Sequence, residues 1–385
     1  MQTLCMNNQV YITRISKFLP NAPVSNDEME AYLGMINGQP SRARRIILKS
    51  NGIKSRYYAL DTTGRVTHTN VEMAANAVKA LYGQGFSAND MELLAAGTAS
   101  PEQLLPSHGV MIHGKLEGAK NAEVVSFAGS CCTGIQALKY GWMSLLTGAK
   151  NNAVCVASER PSPWMQAKYF DGETEKLQQL EKHPILAFEK DFLRWMLSDG
   201  AAALLLQTEP AKEGLSFRVE WIDLCSYAHI RESCMYAGAE KDENGELRGW
   251  ASFPEKEWLS KSIFSLKQDA RQLGENITQL GGQFFKEVAE KRKLKTEDID
   301  WFLPHLSSMF FKDKVREELD AMGYPIPEEK WFVNLPTVGN VGSAANFLML
   351  EELYRVGKLQ KQQKILLMTP ESARFSYGYC LLTVC

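Results

Sequence analysis

A repeat with an offset of 208 positions constrains the fold of this chain more than any other sequence feature. Residues 90–100 align with residues 298–308, and the same offset places Gly134 on Gly342. Each half then follows the order strand, loop, helix, strand, which is the pattern of a βαβ unit in a buried sheet. The constant offset over separated segments indicates an α/β protein built from two similar halves.

The repeat predicts two intimately packed domains, residues 1–210 and 211–385, with the seam near Pro210. Residues 160–197 interrupt the alternation of strands and helices in the first half and are predicted to be an insertion. Residues 228–275 are irregular and charged, with interspersed aromatic side chains. Either a flap over a pocket or an ordinary surface excursion has this composition.

Composition excludes several classes of protein. The 385 residues include 43 Lys plus Arg and 45 Asp plus Glu, so no overall field favours nucleic acid or an anionic membrane. No apolar run reaches membrane-spanning length, and the N-terminus lacks a signal-peptide pattern. Eight cysteines without paired spacings favour reduced thiols in the cytoplasm. The sequence carries no phosphate loop or metal cluster, so no bound cofactor or metal is expected.

A nucleophile is predicted in residues 124–135, which follow the pattern of a buried strand, a turn of small residues and a helix that begins at a cysteine. A thiol at a helix N-terminus is expected to ionise more easily, because unpaired N–H groups and the helix dipole stabilise the thiolate. Cys131 competes with Cys132 for this role. The repeat register and the Cys-x-Gly spacing favour Cys132, with Cys131 as a packed neighbour.

Two polar residues are brought towards Cys132 by the repeat. The offset places Asn340 on Cys132 and His305 on Gly97, and equivalent strand-to-helix loops of a duplicated α/β fold meet near the axis between the halves. A neutral imidazole N–H and a carboxamide N–H can both donate to an enolate oxygen, and loss of one such donor typically costs about 3–4 kcal/mol. Taken singly, each residue also fits a structural role.

These motifs resemble the β-ketoacyl-acyl-carrier-protein synthase III family of the thiolase superfamily, nearly from end to end. Cys132-Thr133-Gly134-Ile135 resembles the nucleophile motif of that family. Residues 300–305 are similar to the strand that leads to its catalytic histidine, and Gly339-Asn340 to its Gly-Asn motif. The resemblance implies a five-layered αβαβα thiolase fold and a homodimer that uses acyl-CoA or acyl-carrier-protein thioesters.

In such an enzyme Cys132 is acylated, and a malonyl thioester is then decarboxylated with help from His305 and Asn340. The resemblance further implies an oxyanion hole formed by the backbone N–H groups of Cys132 and Ala373, and a Leu105 side chain that reaches across the dimer into the acyl tunnel. It also implies a carrier-protein docking patch, for which a solvated helix face is the alternative interpretation; the patch consists of Lys291, Arg292, Lys293 and Lys295.

The chain departs from the family pattern in places that affect substrate choice. Glu371-Ser-Ala-Arg-Phe375 replaces the Gly-rich loop, and no tryptophan precedes Asn51 to stack on the adenine of coenzyme A. The missing tryptophan, together with the insertion over residues 160–197, favours a longer primer on a carrier protein over acetyl-CoA. A ketosynthase that joins two acyl chains into dialkylresorcinol precursors is one alternative. A thioester hydrolase or acyltransferase and a non-catalytic thiolase-fold partner are others, and the extender can be a malonyl or a β-ketoacyl thioester.

Overall fold

A computed structural model describes residues 9–41, 44–169, 193–261 and 263–385 of this chain. Within these residues a mixed sheet of nine strands organises the molecule. In chain order its strands are β1 (Tyr11–Phe18), β2 (Leu93–Thr98), β3 (Glu123–Ala128), β4 (Asn152–Glu159), β5 (Gly200–Gln207), β6 (Phe217–Ser226), β7 (Trp301–Pro304), β8 (Lys364–Glu371) and β9 (Ser376–Val384). Three short ribbons accompany it, formed by Val24–Ser25 with Ser55–Arg56, Met235–Tyr236 with Lys267–Gln268, and Ala239–Lys241 with Leu247–Gly249.

The two halves of the sheet share one strand order and one set of strand directions. In the N-terminal half, β1 pairs with β5 and β5 with β4 in antiparallel fashion, whereas β4, β2 and β3 are parallel. In the C-terminal half, β6 pairs with β9 and β9 with β8 antiparallel, and β8 with β7 parallel. The halves join where β1 meets β6, at Tyr11–Arg218 and Ile12–Phe217. The predicted construction from two similar α/β halves is confirmed.

The helices connect these strands and cover the sheet. In chain order, the described part of the protein contains the α-helices α1 (Met29–Leu33), α2 (Arg44–Asn51), α3 (Asn70–Lys79), α4 (His108–His113), α5 (Thr133–Leu146), α6 (Glu255–Ser260), α7 (Ala270–Arg292), α8 (Phe310–Ala321), α9 (Leu335–Val338) and α10 (Ala345–Arg355). Helix α3 begins at a capping box, in which Thr69 accepts from the backbone of Glu72 and Glu72 from that of Thr69. Such reciprocal hydrogen bonds satisfy N–H groups that the first helical turn leaves unpaired.

Three apolar clusters show how the layers stack. The central cluster joins α5 and α10 to the inner faces of both half-sheets, through residues such as Leu138 and Phe347. Helix α3 packs on the outer face of the N-terminal half, and α7 and α8 on that of the C-terminal half. On β5, Leu204 faces the central layer while Leu205 faces α3, as expected where side chains alternate on a sheet buried on both faces. The predicted αβαβα layering is therefore confirmed.

The strand predicted over residues 331–335 is wrong. Trp331 makes one parallel bridge to Phe302, and the Phe332 N–H donates to the Phe302 carbonyl at 2.9 Å. Helix α9 begins immediately afterwards and contains Pro336, which has no N–H group to extend a strand ladder. The fifth strand of the C-terminal half is thus reduced to a bridge.

The predicted seam at Pro210 falls in the connection between β5, which ends at Gln207, and β6, which begins at Phe217. The domain boundary itself stays a prediction. Of the predicted insertion over 160–197, residues 170–192 lie outside the described part of the chain.

Candidate active site

The turn between β3 and α5 carries two adjacent cysteines. Cys132 caps the N-terminus of α5, and the Gln136 N–H donates to its carbonyl at 2.9 Å. Glycine is required nearby, because a Cβ on Gly97 at the end of β2 would lie 2.5 Å from the Thr133 carbonyl. The strand and helix therefore approach closely at this turn, and the side chain of Cys132 is fully buried.

Strand β8 supplies the groups that contact Cys132. The Cys132 thiol donates to the Thr369 carbonyl at an Sγ–O distance of 3.4 Å, and the Cys132 backbone N–H donates to Glu371 Oε2 at 3.0 Å. Sequence reasoning noted the loop that begins at Glu371 but did not assign this carboxylate to the site. No local pattern marks it, because the contact comes from a strand more than 230 positions away along the chain.

The expectation of an easily ionised thiol is contradicted. Burial raises the pKa of the Cys132 thiol well above its usual value, and the Glu371 carboxylate raises it further. Burial likewise raises the pKa of Cys131 to about 12. The helix terminus does favour a thiolate, but desolvation and a neighbouring negative charge outweigh it, so both resting groups are thiols.

His305 follows the last residue of β7. Its backbone N–H donates to the Met368 carbonyl at 2.8 Å, which ties the loop to β8, and the side chain is 3% exposed. Burial lowers the pKa of the imidazole to about 4. The ring is therefore neutral at neutral pH and carries one N–H donor.

The loop before α10 fixes the side chain of Asn340. The Gly342 N–H donates to Asn340 Oδ1 at 2.9 Å, and this contact identifies which end of the amide is the oxygen. The Asn340 backbone is held on both sides, because its N–H donates to the Met196 carbonyl and its carbonyl accepts from the Ser198 N–H. The amide nitrogen lies 4.0 Å from Met196 Sδ, a weak acceptor, and is available as a donor.

His305 and Asn340 line one cavity of about 240 Å³, as predicted from the repeat. The thiol in its wall belongs to Cys131, whereas Cys132 lies immediately behind the wall, against β8. The remaining wall is largely apolar and draws on regions that the sequence left open: Pro161, Trp164, Met196 and Leu197 come from the ends of the predicted insertion, and Met235, Tyr236 and Leu266 from residues 228–275. The second segment therefore contributes to the pocket wall.

The predicted oxyanion hole is not preformed. Ala373 lines the cavity, and its carbonyl accepts hydrogen bonds from the N–H groups of Cys234 and Met235. The Cys132 N–H, which was predicted to face the substrate carbonyl, instead donates to the Glu371 carboxylate. The replacement of the Gly-rich loop accounts for this, because glycine has no side chain that could occupy the donor.

The remaining predicted residues lie at the surface. Leu105 is 85% exposed and is not among the residues that line the cavity. Lys291 and Arg292, at the end of α7, both form ion pairs with the buried carboxylate of Asp223, at 2.7 Å each. Lys293, at the left-handed end of the helix, and Lys295 are exposed. Only part of the predicted patch is thus free of an intramolecular ion pair in the described structure.

The described residues contain neither a candidate metal site nor a candidate membrane-spanning helix. They contain no cluster of three or more His, Cys, Asp or Glu side chains arranged to hold a metal ion. Among the same residues, no helix has the length and apolar character needed to cross a membrane.

Sequence comparison relates this chain to condensing enzymes. Residues 289–384 match the family described as 3-oxoacyl-[acyl-carrier-protein (ACP)] synthase III C terminal. The β-ketoacyl-[acyl-carrier-protein] synthase III of Clostridium perfringens is 25% identical over 352 residues, which cover 91% of this chain and 92% of that protein. The enzyme of the same name from Chlorobaculum tepidum is 23% identical over 371 residues, 96% of each chain. The resemblance predicted from the motifs is confirmed.

Solved structures share the fold. A tetronic acid condensing enzyme superposes with a TM-score of 0.73 at 19% identity, covering 97% of this chain and 99% of its own. OleA from Xanthomonas campestris, solved with lauric acid and lauroyl-CoA, gives 0.72 at 18% identity with the same coverage. The 3-oxoacyl-[acyl-carrier-protein] synthase III of Aquifex aeolicus gives 0.68 at 18% identity, again with the same coverage. The thiolase fold predicted from the sequence is confirmed.

Proposed function

We propose that this relative of the β-ketoacyl-[acyl-carrier-protein] synthase III enzymes is itself a condensing enzyme, which forms a carbon–carbon bond between two acyl thioesters. The observation that carries the proposal is the convergence of His305 and Asn340 in one cavity beside the cysteine turn at the start of α5. Two neutral N–H donors facing one space suit a reaction in which negative charge develops on an oxygen.

In the first half-reaction, Cys132 takes an acyl group from a carrier thioester. Its thiolate attacks the carbonyl carbon, the bond to the carrier sulfur breaks, and the carrier leaves as a thiol. The acyl group remains activated because it is again a thioester. Cys132 is preferred over Cys131 because it caps α5 and occupies the repeat position of Asn340. The weak contact to the Thr369 carbonyl must break for the thiol to reach the cavity.

In the second half-reaction, a malonyl thioester loses carbon dioxide to give an enolate. The neutral His305 N–H and the Asn340 amide donate to the enolate oxygen, which lowers the barrier to decarboxylation. The enolate carbon then attacks the acyl-Cys132 carbonyl, and Cys132 leaves as a thiolate. The product is a β-ketoacyl thioester on the extender's carrier.

The apolar cavity wall favours an acyl primer longer than acetyl. Trp164, Met196 and Leu273 contribute large apolar surfaces to it. OleA, which shares the fold, was solved with a twelve-carbon acyl ligand bound, as its lauric acid and lauroyl-CoA indicate. We propose an acyl carrier protein as the partner that delivers such a chain, docked on the exposed Lys293 and Lys295 with the neighbouring Lys291 and Arg292.

The proposed enzyme is a cytoplasmic homodimer with no bound cofactor. The large side chain of Leu105 is left in solvent by a single protomer, and burial in a partner subunit would remove it from water. The proposed chemistry uses only the thioester substrates and side chains of the protein, so it draws on no cofactor or metal.

Intact-protein mass spectrometry tests the proposal. Wild type, Cys132→Ser and Cys131→Ser are each incubated with a panel of acyl-carrier-protein and acyl-CoA thioesters. We expect a mass increase of one acyl group in wild type and in Cys131→Ser, and none in Cys132→Ser. Addition of malonyl-carrier protein should then remove the adduct and yield a β-ketoacyl thioester.

Other results of this experiment would identify a different nucleophile or contradict the condensing activity. An adduct that persists in Cys132→Ser and is lost in Cys131→Ser moves the nucleophile to the cysteine in the cavity wall. An adduct that is released as free acid, with no product formed from malonyl-carrier protein, indicates a thioester hydrolase. No adduct with any thioester contradicts the condensing mechanism.

A further inference from the structure

Glu371 is a buried carboxylate at the start of helix α5 to which neither half-reaction assigns a task. Its side chain is 9% exposed and accepts hydrogen bonds from the backbone N–H groups of Cys132 and Ser130, and from the Ser376 hydroxyl. A carboxylate is costly to bury, so such a group requires a stabilising partner. Here the N–H groups at the start of α5 provide it.

Strand geometry brings Glu371 to the reacting residue. Thr369 and Glu371 are two positions apart on β8, and both contact Cys132, Thr369 through its backbone carbonyl and Glu371 through its side chain. The Cys132 thiol and the Cys132 N–H contact these two residues, at 3.4 Å and 3.0 Å respectively. The carboxylate therefore accepts directly from the Cys132 N–H and lies near enough to the Cys132 thiol to raise its pKa.

The number of negative charges in the buried site limits the role that Glu371 can have. Burial raises the pKa of the Cys132 thiol well above its usual value, and loss of its proton to water would also place a second negative charge beside Glu371, which raises the pKa further. Burial also raises the pKa of Glu371, which makes its carboxylate a better proton acceptor. Transfer of the proton between the two groups leaves one negative charge in the site, so no additional charge is buried.

We propose that Glu371 is the proton acceptor for the Cys132 thiol and that the same transfer releases the Cys132 N–H to the substrate carbonyl. The inference rests on the proposed acyl transfer to Cys132. In this step the S–H bond breaks and an O–H bond forms on Glu371, and the thiolate attacks the thioester carbon. When the tetrahedral intermediate collapses, the bond to the carrier sulfur breaks and the carrier thiolate takes the proton from Glu371.

Proton transfer also accounts for the hydrogen bond that the Cys132 N–H, the predicted oxyanion-hole donor, makes to Glu371 in the resting enzyme. A carboxylate accepts a stronger hydrogen bond than a neutral carboxylic acid does, since bonds to ionised acceptors are about twice as strong. Protonated Glu371 therefore holds the Cys132 N–H less firmly, at the moment when negative charge moves to the substrate oxygen. The resting enzyme keeps a weakly reactive thiol, and acyl transfer engages both groups together.

The surrounding titratable groups are compatible with this role. Those that act on Cys132 besides Glu371 are Cys131 and Cys225, and Tyr377 lies near enough to interact with Cys132. Glu159 acts on Cys131. Burial raises the pKa of each of these thiols, of the phenol and of the Glu159 carboxyl, while His305 stays neutral above pH 4. Glu371 is therefore the carboxylate in direct contact with Cys132.

The test is the pH dependence of Cys132 modification by methyl methanethiosulfonate, a small thiol reagent, in wild type and Glu371→Gln. Tandem mass spectrometry separates modification of Cys132 from that of Cys131. Glutamine keeps the shape and an acceptor oxygen for the Cys132 N–H but cannot take a proton. We expect wild type to react at pH 7, and Glu371→Gln to react at least tenfold more slowly there and to recover only at alkaline pH.

The opposite result overturns the proposal. If Glu371→Gln reacts as fast as wild type at pH 7, or faster, the carboxylate only suppresses ionisation of the thiol by like-charge repulsion. Wild-type Cys132 that stays unmodified at every pH is equally contradictory. Glu371→Asp provides a second variant, which keeps a carboxylate and should retain reactivity at pH 7 above that of Glu371→Gln.

A matched control is Asp199→Asn, because Asp199 is a fully buried carboxylate that accepts from the Ala59 and Ser162 N–H groups and is not among the cavity residues. This variant should keep the wild-type pH profile of Cys132. Acylation by the thioester panel is measured in parallel. A wild type that reacts with the reagent at pH 7 but is acylated by no thioester contradicts the proposed function, while the comparison with Glu371→Gln still decides the role of Glu371.

Discussion

The polar groups of His305 and Asn340 are oriented by different means. Burial keeps the imidazole neutral, whereas the amide is held by the Gly342 N–H and by backbone hydrogen bonds to Met196 and Ser198. Neither donor has to reorganise when charge appears on the substrate oxygen. Such preorganisation is the main source of stabilisation in sites of this kind.

Replacement of Asn340 by alanine should separate the two half-reactions. The variant loses one donor to the enolate, so decarboxylation of the malonyl thioester should slow by about 10²–10³-fold. Acylation of Cys132 should persist, because Asn340 is not assigned to that step. The rate of acylation is measured by mass spectrometry of samples quenched at successive times. The rate of decarboxylation is measured by release of labelled carbon dioxide. Equal losses in both would place Asn340 in a structural role.

The buried His305 should make stability fall on acidification. Its pKa is about 4 in the folded protein and about 6.5 in an unfolded chain, so the unfolded state binds more protons between these values. The free energy of unfolding therefore decreases as pH falls through this window. His305→Gln should reduce the loss of stability between pH 7 and pH 5 by about 1–2 kcal/mol, measured by urea denaturation. An unchanged difference between the two pH values would contradict a neutral buried imidazole.

Local sequence predicts the identity of the polar groups better than their chemistry. His305 and Asn340 line one cavity, as the repeat predicted, although only His305 directly follows a strand and Asn340 lies in the loop between α9 and α10. The state of the Cys132 thiol was not predictable in this way, because it depends on burial and on Glu371. That carboxylate comes from the end of β8, 239 positions away from Cys132 along the chain.

Glycine allows α5 to approach the segment that leads into α10. A Cβ added to Gly134, in the first turn of α5, would lie 2.2 Å from the Ser343 carbonyl oxygen and 3.1 Å from the Ala157 Cβ. Gly134 and its repeat partner Gly342 thus flank the contact between the halves. The loops that carry Cys132 and Asn340 meet because nothing larger stands between them.

Gly134→Ala should destabilise the protein by about 1–3 kcal/mol, because the added methyl group meets backbone atoms that cannot rotate away. The matched control is Gly274→Ala in α7, where an added Cβ meets no atom within 4 Å. That change should be neutral or stabilising by up to about 1 kcal/mol, since alanine favours the helix over glycine. Thermal unfolding of both variants provides the measurement. Equal effects would exclude the close contact at Gly134.

Buried elements were the easiest to predict from sequence. The strand predicted over 93–97 is β2 (Leu93–Thr98), whose six residues are all buried, and the helix after Cys132 is α5 as predicted. Apolar periodicity is strong where both faces of an element are covered. The strand expected over 331–335 had similar composition but formed one bridge, since α9 follows at once. Composition alone did not reveal where pairing ends.

The duplication explains how a site forms from segments that are distant in the sequence. Each half ends its parallel strands at a loop, and the halves join through β1 and β6, which places those loops together at the central helices. The repeat was detectable from sequence through a constant offset. The part of the cavity wall formed by residues 235–237 and 266 was predicted only as one of two alternatives, because these residues have no counterpart in the repeat.

The proposed carrier-protein surface makes a prediction about charge. Lys293 and Lys295 are exposed, so their replacement by glutamate should raise the KM for an acyl-carrier-protein substrate several-fold and leave the KM for the matching acyl-CoA unchanged. Added salt should weaken the wild-type interaction, because exposed charges are screened. Lys358→Glu with Lys361→Glu is the charge-matched control at another exposed site. Equal effects of the two double variants on KM would contradict a docking patch beside α7.

The proposed dimer interface can be tested at Leu105. Leu105 is 85% exposed in the single protomer and Leu259 is 90% exposed, but only the segment around Leu105 was predicted to enter a partner subunit. Leu105→Glu would bury a charge in that interface and should raise the dimer dissociation constant at least tenfold. Leu259→Glu should leave it unchanged. Sedimentation velocity over a range of concentrations measures both. A wild-type protein that stays monomeric at every concentration would contradict the proposed dimer. A Leu105→Glu variant that dimerises like wild type would show that Leu105 lies outside the dimer interface.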